Sequence, residues 1–578
     1  MLNCEFGTLR PRAIGLALAL LALPLAAPAG AQLVFDGNVL WNNNPSGTLV
    51  GQFSGVGTAT CAYPPRADTL GTTRNIHNTY QNPLLPTAVY TPGVVPVWQP
   101  QAGSPAFTEP VVRLPDDGFF TQVAYHGAIG PNPGDDWTLG WTNYDSTGCN
   151  RQDLHLSGMP DPRPLATYRN VNLYVSRTWS ADSNYLVGGQ LRIKAQANLT
   201  IPAGTVVFGE RATLGTIVVE RGGHITAVGT KDAPIIMTSD DPPCSQVQGA
   251  WGGLVVNGYG RTNVVNSCAG DSVASEGGAI GYWGGDDNTW DACDLRYVRI
   301  EYSGKEIVPN NELNSFTLNG CGSNSHMDYC EAFNGADDSF EWFGGRMDCT
   351  HLIGVDSHDD GIDTQLGTQL RVPWAIMRQS PNYTPAGTQN GDKGTEQDNN
   401  EYDYDATQCT GYTNTQLANV TFIGDKRVGA AFPGPTSGVN WRRGTTGTFL
   451  NGIITNFKTA ALKIDDNATW AHHCASLPEP SQTVDVPITA GRVFVAGSAP
   501  NPFRNRLQVT FTLPEAGPVR VEVYGADGRL VQTLADETMA AGPHSIAWTV
   551  DRALPSGMYF YRVLAPGRQA TGKVARVN

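Results

Sequence analysis

Two stretches of sequence decide the fold: Phe333-Asn334-Gly335-Ala336-Asp337-Asp338-Ser339-Phe340-Glu341 and, 22 residues later, Val355-Asp356-Ser357-His358-Asp359-Asp360-Gly361-Ile362-Asp363. They align residue by residue, with an apolar residue, Phe340 or Ile362, at one shared position and acidic residues at others. In a parallel β-helix successive coils lie about 4.8 Å apart, and equivalent side chains form ladders. The repeat therefore predicts that Phe340 and Ile362 stack in a core while the acidic residues line one outer corner.

Short β-branched runs recur on the N-terminal side of this pair. Ile217-Val218-Val219, Ile235-Ile236-Met237 and Leu254-Val255-Val256 follow one another at intervals of 18 or 19 residues. A β-propeller needs blades of about forty residues or more, so the shorter period favours a solenoid. With no sustained helical periodicity, the chain is predicted to be all-β, with a right-handed parallel β-helix over 171–477 and a polar insertion at 379–416.

Four motifs within this region carry a family resemblance: Ile201–Val207 (IPAGTVV), Trp251–Leu254 (WGGL), Leu295–Gly304 (LRYVRIEYSG) and Asp337–Gly345 (DDSFEWFGG). They resemble secreted bacterial β-helix proteins, mostly without assigned activity, whose fold is pectin-lyase-like. Phe119–Val123, Gly127-Ala128 and Trp137–Trp141 resemble the N-terminal segment of the same family. Residues 32–170 otherwise have no assigned fold, and 32–115 match nothing in the family.

The C-terminal part reads as a separate small domain. After a proline-bearing linker at 478–498, residues 499–578 contain alternating strands, with a tight turn at Gly525-Ala526-Asp527-Gly528. Asn501-Pro502-Phe503, Ser556-Gly557-Met558-Tyr559 and Gly572-Lys573-Val574 resemble the Ig-like module of flagellar hook-capping proteins and the type IX secretion sorting domain. The resemblance implies an Ig-like sandwich and delivery across the outer membrane, with the secretion machinery as a partner.

The first 31 residues are typical of a cleaved signal peptide. Arg10 and Arg12 precede an apolar run from Ala13 to Ala26, and Ala29-Gly30-Ala31 is a small-x-small cleavage site. The run is shorter than the ~20 apolar residues of a membrane span. The mature protein is therefore predicted to begin at Gln32, to be secreted or displayed on the cell surface, and to contain no transmembrane span.

The net charge limits the classes of binding partner, and the cysteine content indicates the redox environment. The formal net charge of -15 argues against nucleic acid or an anionic membrane as partner and suits divalent cations or neutral glycans. Beyond the leader lie ten cysteines, an even number that suggests disulfides in an exported chain without fixing their connectivity. They are Cys61, Cys149, Cys244, Cys268, Cys293, Cys321, Cys330, Cys349, Cys409 and Cys474.

One further cluster of possible ligands is His472-His473-Cys474. On a strand its two histidines would point in opposite directions, which favours a structural role over metal binding.

The acidic corner is the strongest candidate site. Two carboxylates about 5 Å apart repel by roughly 3 kcal/mol at an effective dielectric constant of about 20, so burial would require a cation or a proton. Calcium, which takes six to eight oxygen ligands, is the candidate cofactor. The alternative is a solvated turn whose aspartates cap backbone amides. The predicted calcium ligands are Asp337, Asp338, Glu341, Asp356, Asp359, Asp360, Asp363, Glu396 and Asp398.

These features predict an exported β-helix protein with a binding or structural role, calcium-stabilised and glycan-binding, with no catalytic residue assigned. Aromatic residues that could stack on a sugar are Trp283, Trp290, Tyr297, Tyr302, Trp342 and Phe343. Peptidase and esterase signatures do not occur.

The alternative prediction is a calcium-dependent polysaccharide lyase or glycoside hydrolase. Candidate basic residues for a lyase are Lys393, Arg346 and Arg378. The adjacent aspartates, expected to face opposite sides of a strand, disfavour a hydrolase.

Overall fold

The computed structural model describes residues 33–43, 52–55, 77–87, 96–132, 134–143, 163–242, 245–264, 272–276, 280–308, 311–379, 392–407, 409–425, 436–475, 496–499, 503–513, 516–525, 529–540, 542–550, 554–565 and 568–577. The predicted leader, the turn at 526–528 and nearly all of the predicted linker lie outside these residues. Within the described part the chain is almost entirely β-strand.

The elements run in chain order as follows. The strands before the solenoid proper are β1 (Leu33–Asp36), β2 (Val39–Trp41), β3 (Phe53–Gly55) and β4 (Thr79–Tyr80), followed by the short helix α1 (Pro105–Thr108). The next strands are β5 (Leu165–Leu173), β6 (Arg177–Thr178), β7 (Asn184–Ile193), β8 (Asn198–Pro202), β9 (Val206–Gly209), β10 (Thr216–Val219), β11 (His224–Val228), β12 (Ile235–Ser239), β13 (Gly253–Asn257), β14 (Val273–Ala274), β15 (Tyr282–Trp283), β16 (Cys293–Glu301), β17 (Lys305–Val308), β18 (Asn311–Leu313), β19 (Phe316–Asn319), β20 (His326–Phe333), β21 (Phe340–Phe343), β22 (Arg346–Val355), β23 (Ile362–Gln365), β24 (Gln369–Pro373), β25 (Ala375–Arg378), β26 (Lys393–Asp398), β27 (Asn414–Ala418), β28 (Thr421–Ile423), β29 (Ser437–Arg442), β30 (Thr446–Leu450), β31 (Ile453–Thr455) and β32 (Ala460–Ile464). The C-terminal elements are helix α2 (Asn467–Ala475) and strands β33 (Ala496–Ala499), β34 (Arg506–Leu513), β35 (Gly517–Gly525), β36 (Leu530–Met539), β37 (Gly542–Thr549), β38 (Gly557–Ala565) and β39 (Arg568–Arg576).

Parallel pairing between successive coils builds three long sheets. Sheet 1 contains β10, β13, β19, β21, β23, β26, β29, β32 and β3 in that order. Sheet 2 runs from β8 and β11 through β24, β27 and β30 to β1, and sheet 3 from β9 and β12 through β25, β28 and β31 to β2. Because β16, β20 and β22 each pass round a corner from sheet 2 to sheet 3, 28 strands of the described residues join one hydrogen-bonded network. The predicted all-β class and parallel β-helix are confirmed.

The register follows the 22-residue repeat of the sequence. Phe340 pairs with Ile362 and Glu341 with Asp363, and both apolar side chains are fully buried. Phe316 precedes Phe340 in the same column, with their rings stacked at 5.0 Å. Alternate residues of each strand thus fill the interior, and apolar burial stabilises every added coil by roughly 2 kcal/mol per large side chain.

The start of the described chain forms the last coil of the solenoid, which the sequence did not indicate. Strand β1 pairs with β30, β2 with β31, and β3 with β32, although about 400 residues separate each pair. Leu33 and Leu40 are buried in the same core as the rest of the helix. Because a solenoid end exposes unpaired strand edges, this extra coil covers the end left by β30 to β32.

The segment before the solenoid packs on the outside of sheet 3. Trp98, Ile129 and Trp141 form one buried cluster with Ile353 and Ile376 of that sheet. The side chain of Asn451 both accepts from Val112 N at 2.8 Å and donates to Val112 O at 2.8 Å. Residues 96–132 and 134–143, part of the segment left without a fold, therefore belong to the same folded unit as the β-helix.

Two local predictions are corrected. The polar insertion at 379–416 contains β26, whose residues pair in parallel with β23 and β29 as a regular part of sheet 1. A strand of lysine, glycine and acidic residues lacks apolar alternation, so its pattern reads as a loop. His472, expected on a strand, lies on α2 and makes a 3.0 Å hydrogen bond with Thr445 O. The side chains of His473 and Cys474 lie outside the described residues.

The cysteines divide into two groups. Cys409 is disulfide-bonded, whereas Cys293, Cys321, Cys330 and Cys349 are free and buried. The last four fill the solenoid core, where a thiol behaves as a small apolar group, so the expectation of disulfides does not extend to them. Cys61, Cys149, Cys244 and Cys268 lie outside the described residues, and their pairing stays a prediction.

The C-terminal strands form two antiparallel sheets, β33-β34-β37 and β36-β35-β38-β39. Alternate residues such as Val521, Trp548 and Tyr561 meet in a core separate from that of the β-helix. This arrangement is the two-sheet sandwich that the sequence predicts. No helix among the described residues has the length and apolar character needed to cross a membrane.

Candidate functional site

Stacked coils bring the predicted acidic residues together on the outer side of sheet 1. Glu341 pairs with Asp363, and Asp363 pairs with Glu396, so three successive strands place a carboxylate at the same register position. All three side chains are at most 8% exposed. The carboxylates therefore form a column that is shielded from water although it points away from the solenoid core.

A second column lies in the turns that lead into these strands. The backbone N–H of Asp338 donates to Asn314 Oδ1 at 3.1 Å, and that of Asp360 donates to Asp338 Oδ1 at 2.7 Å. The N–H of Lys393 donates to Asp360 Oδ1 at 2.8 Å. Each side chain thus caps the next coil, which is the amide-capping role predicted as an alternative, and each aspartate keeps one oxygen for another partner.

Four overlapping groups of carboxylates result. In each group, one oxygen from every member lies within 4.8 Å of the others, and neighbouring groups share Asp338, Asp359, Asp360 or Asp363. The groups are Asp337, Asp338 and Asp359; Asp338, Glu341 and Asp363; Asp359, Asp360 and Asp392; and Asp360, Asp363 and Glu396. We call these eight residues the acidic cluster. The adjacent Asp337 and Asp338 lie in a turn and share a group, so the expectation that they face opposite sides is wrong.

The half of the acidic cluster nearest β21 has no cation. Among the described residues, no lysine or arginine forms an ion pair with Asp337, Asp338, Glu341, Asp359 or Asp363. Burial raises the pKa of Asp338 well above its usual range, and the charges of Asp337 and Asp360 raise it further. Burial likewise raises the pKa values of Glu341 and Asp363.

Asp363 is the least satisfied member of the acidic cluster. Its Oδ1 is buried and accepts no hydrogen bond, and within the described chain no donor reaches its carboxylate. Glu341, by contrast, accepts from Gln365 Nε2 at 3.0 Å and from Asn314 Nδ2. A buried carboxylate without a donor costs several kcal/mol unless a proton or a cation compensates it.

The other half of the acidic cluster surrounds the ammonium group of Lys393. Lys393 Nζ lies 2.5 Å from Asp392, 2.9 Å from Glu396 and 3.5 Å from Asp360. Burial alone would lower the pKa of Lys393, but the carboxylates of Asp360, Glu396 and Asp392 raise it well above its usual range. The ammonium group therefore stays charged and fills the space between these carboxylates.

Two predicted ligands lie apart from the cation-free half. Asp356 pairs with Arg378 at 3.1 Å, although burial still raises the pKa of Asp356 to about 6. Asp398 is held by Arg442 at 2.6 Å and by Arg443 at 2.7 Å. Neither is a member of the four carboxylate groups. Arg378 follows Asp356 by 22 residues, the repeat length, so the spacing in the sequence already indicated the first of these pairs.

The aromatic residues proposed for sugar stacking do not form an exposed platform. Trp283 and Trp342 are each 1% exposed, and Phe343 packs against Trp283. Trp290, Tyr297 and Tyr302 are half-buried. Tyr297 stacks on Tyr329 at 4.5 Å beneath Trp141. These rings stabilise the solenoid and its covering segment.

Several residues of the site escaped the sequence reasoning. Glu276 comes close to Glu341 from a distant loop, and its pKa is raised to about 7, first by burial. Asp392 immediately precedes Lys393 and joins its ion pairs. Asn314 stands 24 residues before Asp338, close to the repeat length, so its position in the ladder carried a usable signal. Glu276 carried none, because its loop does not follow the repeat.

Two family profiles agree with this architecture. A family profile described as "Pectate-lyase like beta helix domain" matches residues 172–493, and one described as "Secretion system C-terminal sorting domain" matches residues 499–576. No curated protein matches the chain. Among solved structures, the tailspike protein gp49 from Acinetobacter baumannii bacteriophage Fri1, described as a capsular polysaccharide depolymerase, is 6% identical with a TM-score of 0.15. The alignment covers 66% of this chain and 73% of the tailspike chain.

The sorting domain identifies an exported protein, secreted or placed at the cell surface by the type IX machinery. The family profile covers more than half of the chain, over the coils that the structure shows. The chain therefore belongs to the pectate-lyase-like β-helix domain family and carries a type IX secretion sorting domain at its C-terminus.

Proposed function

We propose that this exported protein is a surface binding protein whose acidic cluster holds calcium and whose solenoid face engages glycan. The observation that carries the calcium proposal is the cation-free half of the acidic cluster: five carboxyl groups, with Asp363 buried and without a donor among the described residues. Calcium binds oxygens at about 2.3–2.6 Å, so two ligands of one ion lie at most about 5 Å apart. The spacing within 4.8 Å fits a shared ion.

Electrostatics support a divalent ion over full ionisation without one. Two carboxylates 4.8 Å apart repel by about 3.5 kcal/mol at an effective dielectric constant of about 20. The three pairs of one group would together cost about 10 kcal/mol, comparable to the whole stability of a domain. A divalent ion removes this cost at pH values above the raised pKa values of these carboxyl groups, whereas protonation removes it only below them. The proposed ligands are Asp337, Asp338, Glu341, Asp359 and Asp363.

The test is calorimetric titration of the chelator-treated full chain with calcium, beside Asp363→Asn. Binding of about one or more ions with affinity in the range of extracellular calcium sites, about 10⁻⁴–10⁻³ M or tighter, supports the proposal. Loss of most of that affinity in Asp363→Asn would place the ion at the cluster. Absence of heat at millimolar calcium would overturn it.

The alternative of a polysaccharide lyase or hydrolase gains little support from the site. Of the three basic candidates, Lys393 is held charged by three carboxylates, and Arg378 pairs with Asp356. A base must be able to give up its proton near the working pH, and the raised pKa of Lys393 prevents this. Retention of a polysaccharide without release of unsaturated or reducing ends supports binding over catalysis.

A further inference from the structure

A polar cleft lies at the corner where sheet 1 turns into sheet 2, on the sheet 2 side and away from the acidic cluster. It encloses about 640 Å³, within the range of small-ligand sites. Among the described residues, its lining includes three arginines, Arg261, Arg346 and Arg371, and one carboxylate, Asp348. In a chain with 53 acidic and 38 basic residues, this local excess of positive charge is unusual.

Two of these arginines have no acidic partner. Arg346 is exposed, and within the described chain its guanidinium makes no hydrogen bond or ion pair. Among the described residues, the guanidinium of Arg261 donates only to the carbonyl oxygen of Asp286, at 3.1 Å. Arg371, in contrast, is occupied by Asp348 and, at 2.6 Å, by Asp117. Two guanidinium groups thus remain able to receive an anion.

The glycine corner of the DDSFEWFGG motif brings the two free arginines together. Gly344 and Gly345 have φ of 60° and 71°, and Gly345 N donates to Arg261 O at 2.7 Å. A Cβ on Gly345 would lie 2.2 Å from Cys321 O, so no larger residue fits. Arg346 follows directly. The corner therefore brings the backbones of Arg261 and Arg346 together, and both side chains line the same cleft.

The floor of the cleft offers groups for a hydroxylated ligand. Columns of polar side chains from successive coils run along it, with Arg346, Gln369 and Asn414 in one register and Asp348, Arg371 and Gln416 in the next. Asn414 Oδ1 is buried without a hydrogen-bond partner. A buried amide oxygen of this kind accepts a donor such as a sugar hydroxyl. Positions repeat every ~4.8 Å, comparable to the length of a pyranose ring.

We propose that this cleft binds an anionic sugar unit of a polysaccharide, with Arg261 and Arg346 on the carboxylate or sulfate group and Asn414 on a hydroxyl. This inference rests on the proposed glycan-binding role but not on calcium. Bidentate guanidinium contacts to planar or tetrahedral oxyanions provide both affinity and orientation. A neutral polymer would leave both charges unpaired and would be disfavoured.

The test is affinity electrophoresis of the full chain through gels containing polygalacturonate, chondroitin sulfate or neutral dextran, with calcium and with chelator. Retention by an anionic polymer, falling with salt, is expected; the carboxylated and sulfated arms distinguish the two anions, and retention by both indicates a general oxyanion site. Arg346→Gln and Arg261→Gln should each weaken retention about tenfold, and Arg346→Lys should restore part of it.

Arg177→Gln is the matched control, because Arg177 is an exposed residue of β6 at the far end of sheet 2. Retention by anionic polymers that both arginine variants leave unchanged would overturn the cleft site but keep the glycan role. Retention by dextran alone would likewise overturn the cleft site and keep the glycan role. Retention by none of the polymers would overturn both the cleft site and the glycan role. Calcium calorimetry of the same variants should be unchanged, so failure of the calcium proposal is recognised separately.

Discussion

Asp363→Asn separates a calcium site from an ordinary acidic patch, because the substitution removes one buried charge and almost no volume. Asp363 accepts no hydrogen bond within the described chain, so the change breaks none. In chelator, the variant should unfold at a higher temperature than the wild type, since repulsion from Glu341 and Glu396 is relieved. In calcium, the order should reverse, because the variant lacks one ligand charge.

The magnitudes follow from the spacing of the carboxylates. One pair at 4.8 Å repels by about 3.5 kcal/mol, and partial protonation reduces the expected gain in chelator to about 1–3 kcal/mol. Calcium at one hundred times its dissociation constant stabilises the wild type by about 2.7 kcal/mol, and Asp363→Asn should lose most of this. For a domain of this size, each kcal/mol corresponds to about 2 °C in Tm.

The pH dependence has a definite sign. The folded pKa values of Asp338, Glu341 and Asp363 are raised by burial above the 3.8 and 4.5 of free Asp and Glu. Below those unfolded values the stabilisation by bound protons is complete, and it is lost as the pH rises through the folded pKa values. Glu276, with a pKa of about 7, extends the loss to neutral pH. In chelator, the difference in unfolding temperature between Asp363→Asn and the wild type should therefore widen from pH 5 to pH 7.

The assay is thermal unfolding of the full chain, monitored by tryptophan fluorescence at pH 5, 6 and 7, in chelator and in about 10 mM calcium. This calcium concentration exceeds the dissociation constants of extracellular calcium sites, which are about 10⁻⁴–10⁻³ M. Asp232→Asn is the control, because Asp232 is exposed in a turn outside the acidic cluster. An Asp363→Asn protein that is less stable than the wild type in chelator, yet gains as much from calcium, would refute the reasoning.

Three other outcomes follow from the structure. Lys393→Gln should destabilise the chain by about 3–5 kcal/mol in chemical denaturation, because Asp360 and Glu396 lose a buried partner, whereas Lys231→Gln, on an exposed turn, should change little. Gly345→Ala should lower the free energy of unfolding clearly more than Gly103→Ala. Both glycines have a positive φ, but only a Cβ at position 345 would meet a backbone oxygen, Cys321 O at 2.2 Å. Equal losses of unfolding free energy in the two variants would contradict this. Cys293, Cys330 and Cys349 should resist thiol reagents in the native protein and react after denaturation, because all three are buried. Burial raises the pKa values of Cys330 and Cys349, and a hydrogen bond with Cys321, followed by burial, raises that of Cys293. Rapid labelling of the native protein would show that reagent reaches the core there.

Much of the architecture could be predicted because the repeat length of a solenoid sequence equals the number of residues in one coil. The 22-residue spacing placed Phe340 over Ile362 and Asp338 beside Asp360, and both proximities are present. Segments without the repeat pattern could not be predicted in this way. Strand β26 has no apolar alternation, and its membership in sheet 1 depends on its neighbours β23 and β29.

The sequence by itself determined the period, the core positions and the acidic corner, because each coil contacts chiefly the coils next to it and local spacing becomes spatial distance. Only the tertiary structure decided which carboxylates lack a partner. It brought Lys393 into one half of the acidic cluster, Glu276 into the other, and strands β1, β2 and β3 to the far end of the solenoid. These contacts join segments outside the repeat, where no periodicity relates position in the chain to position in space.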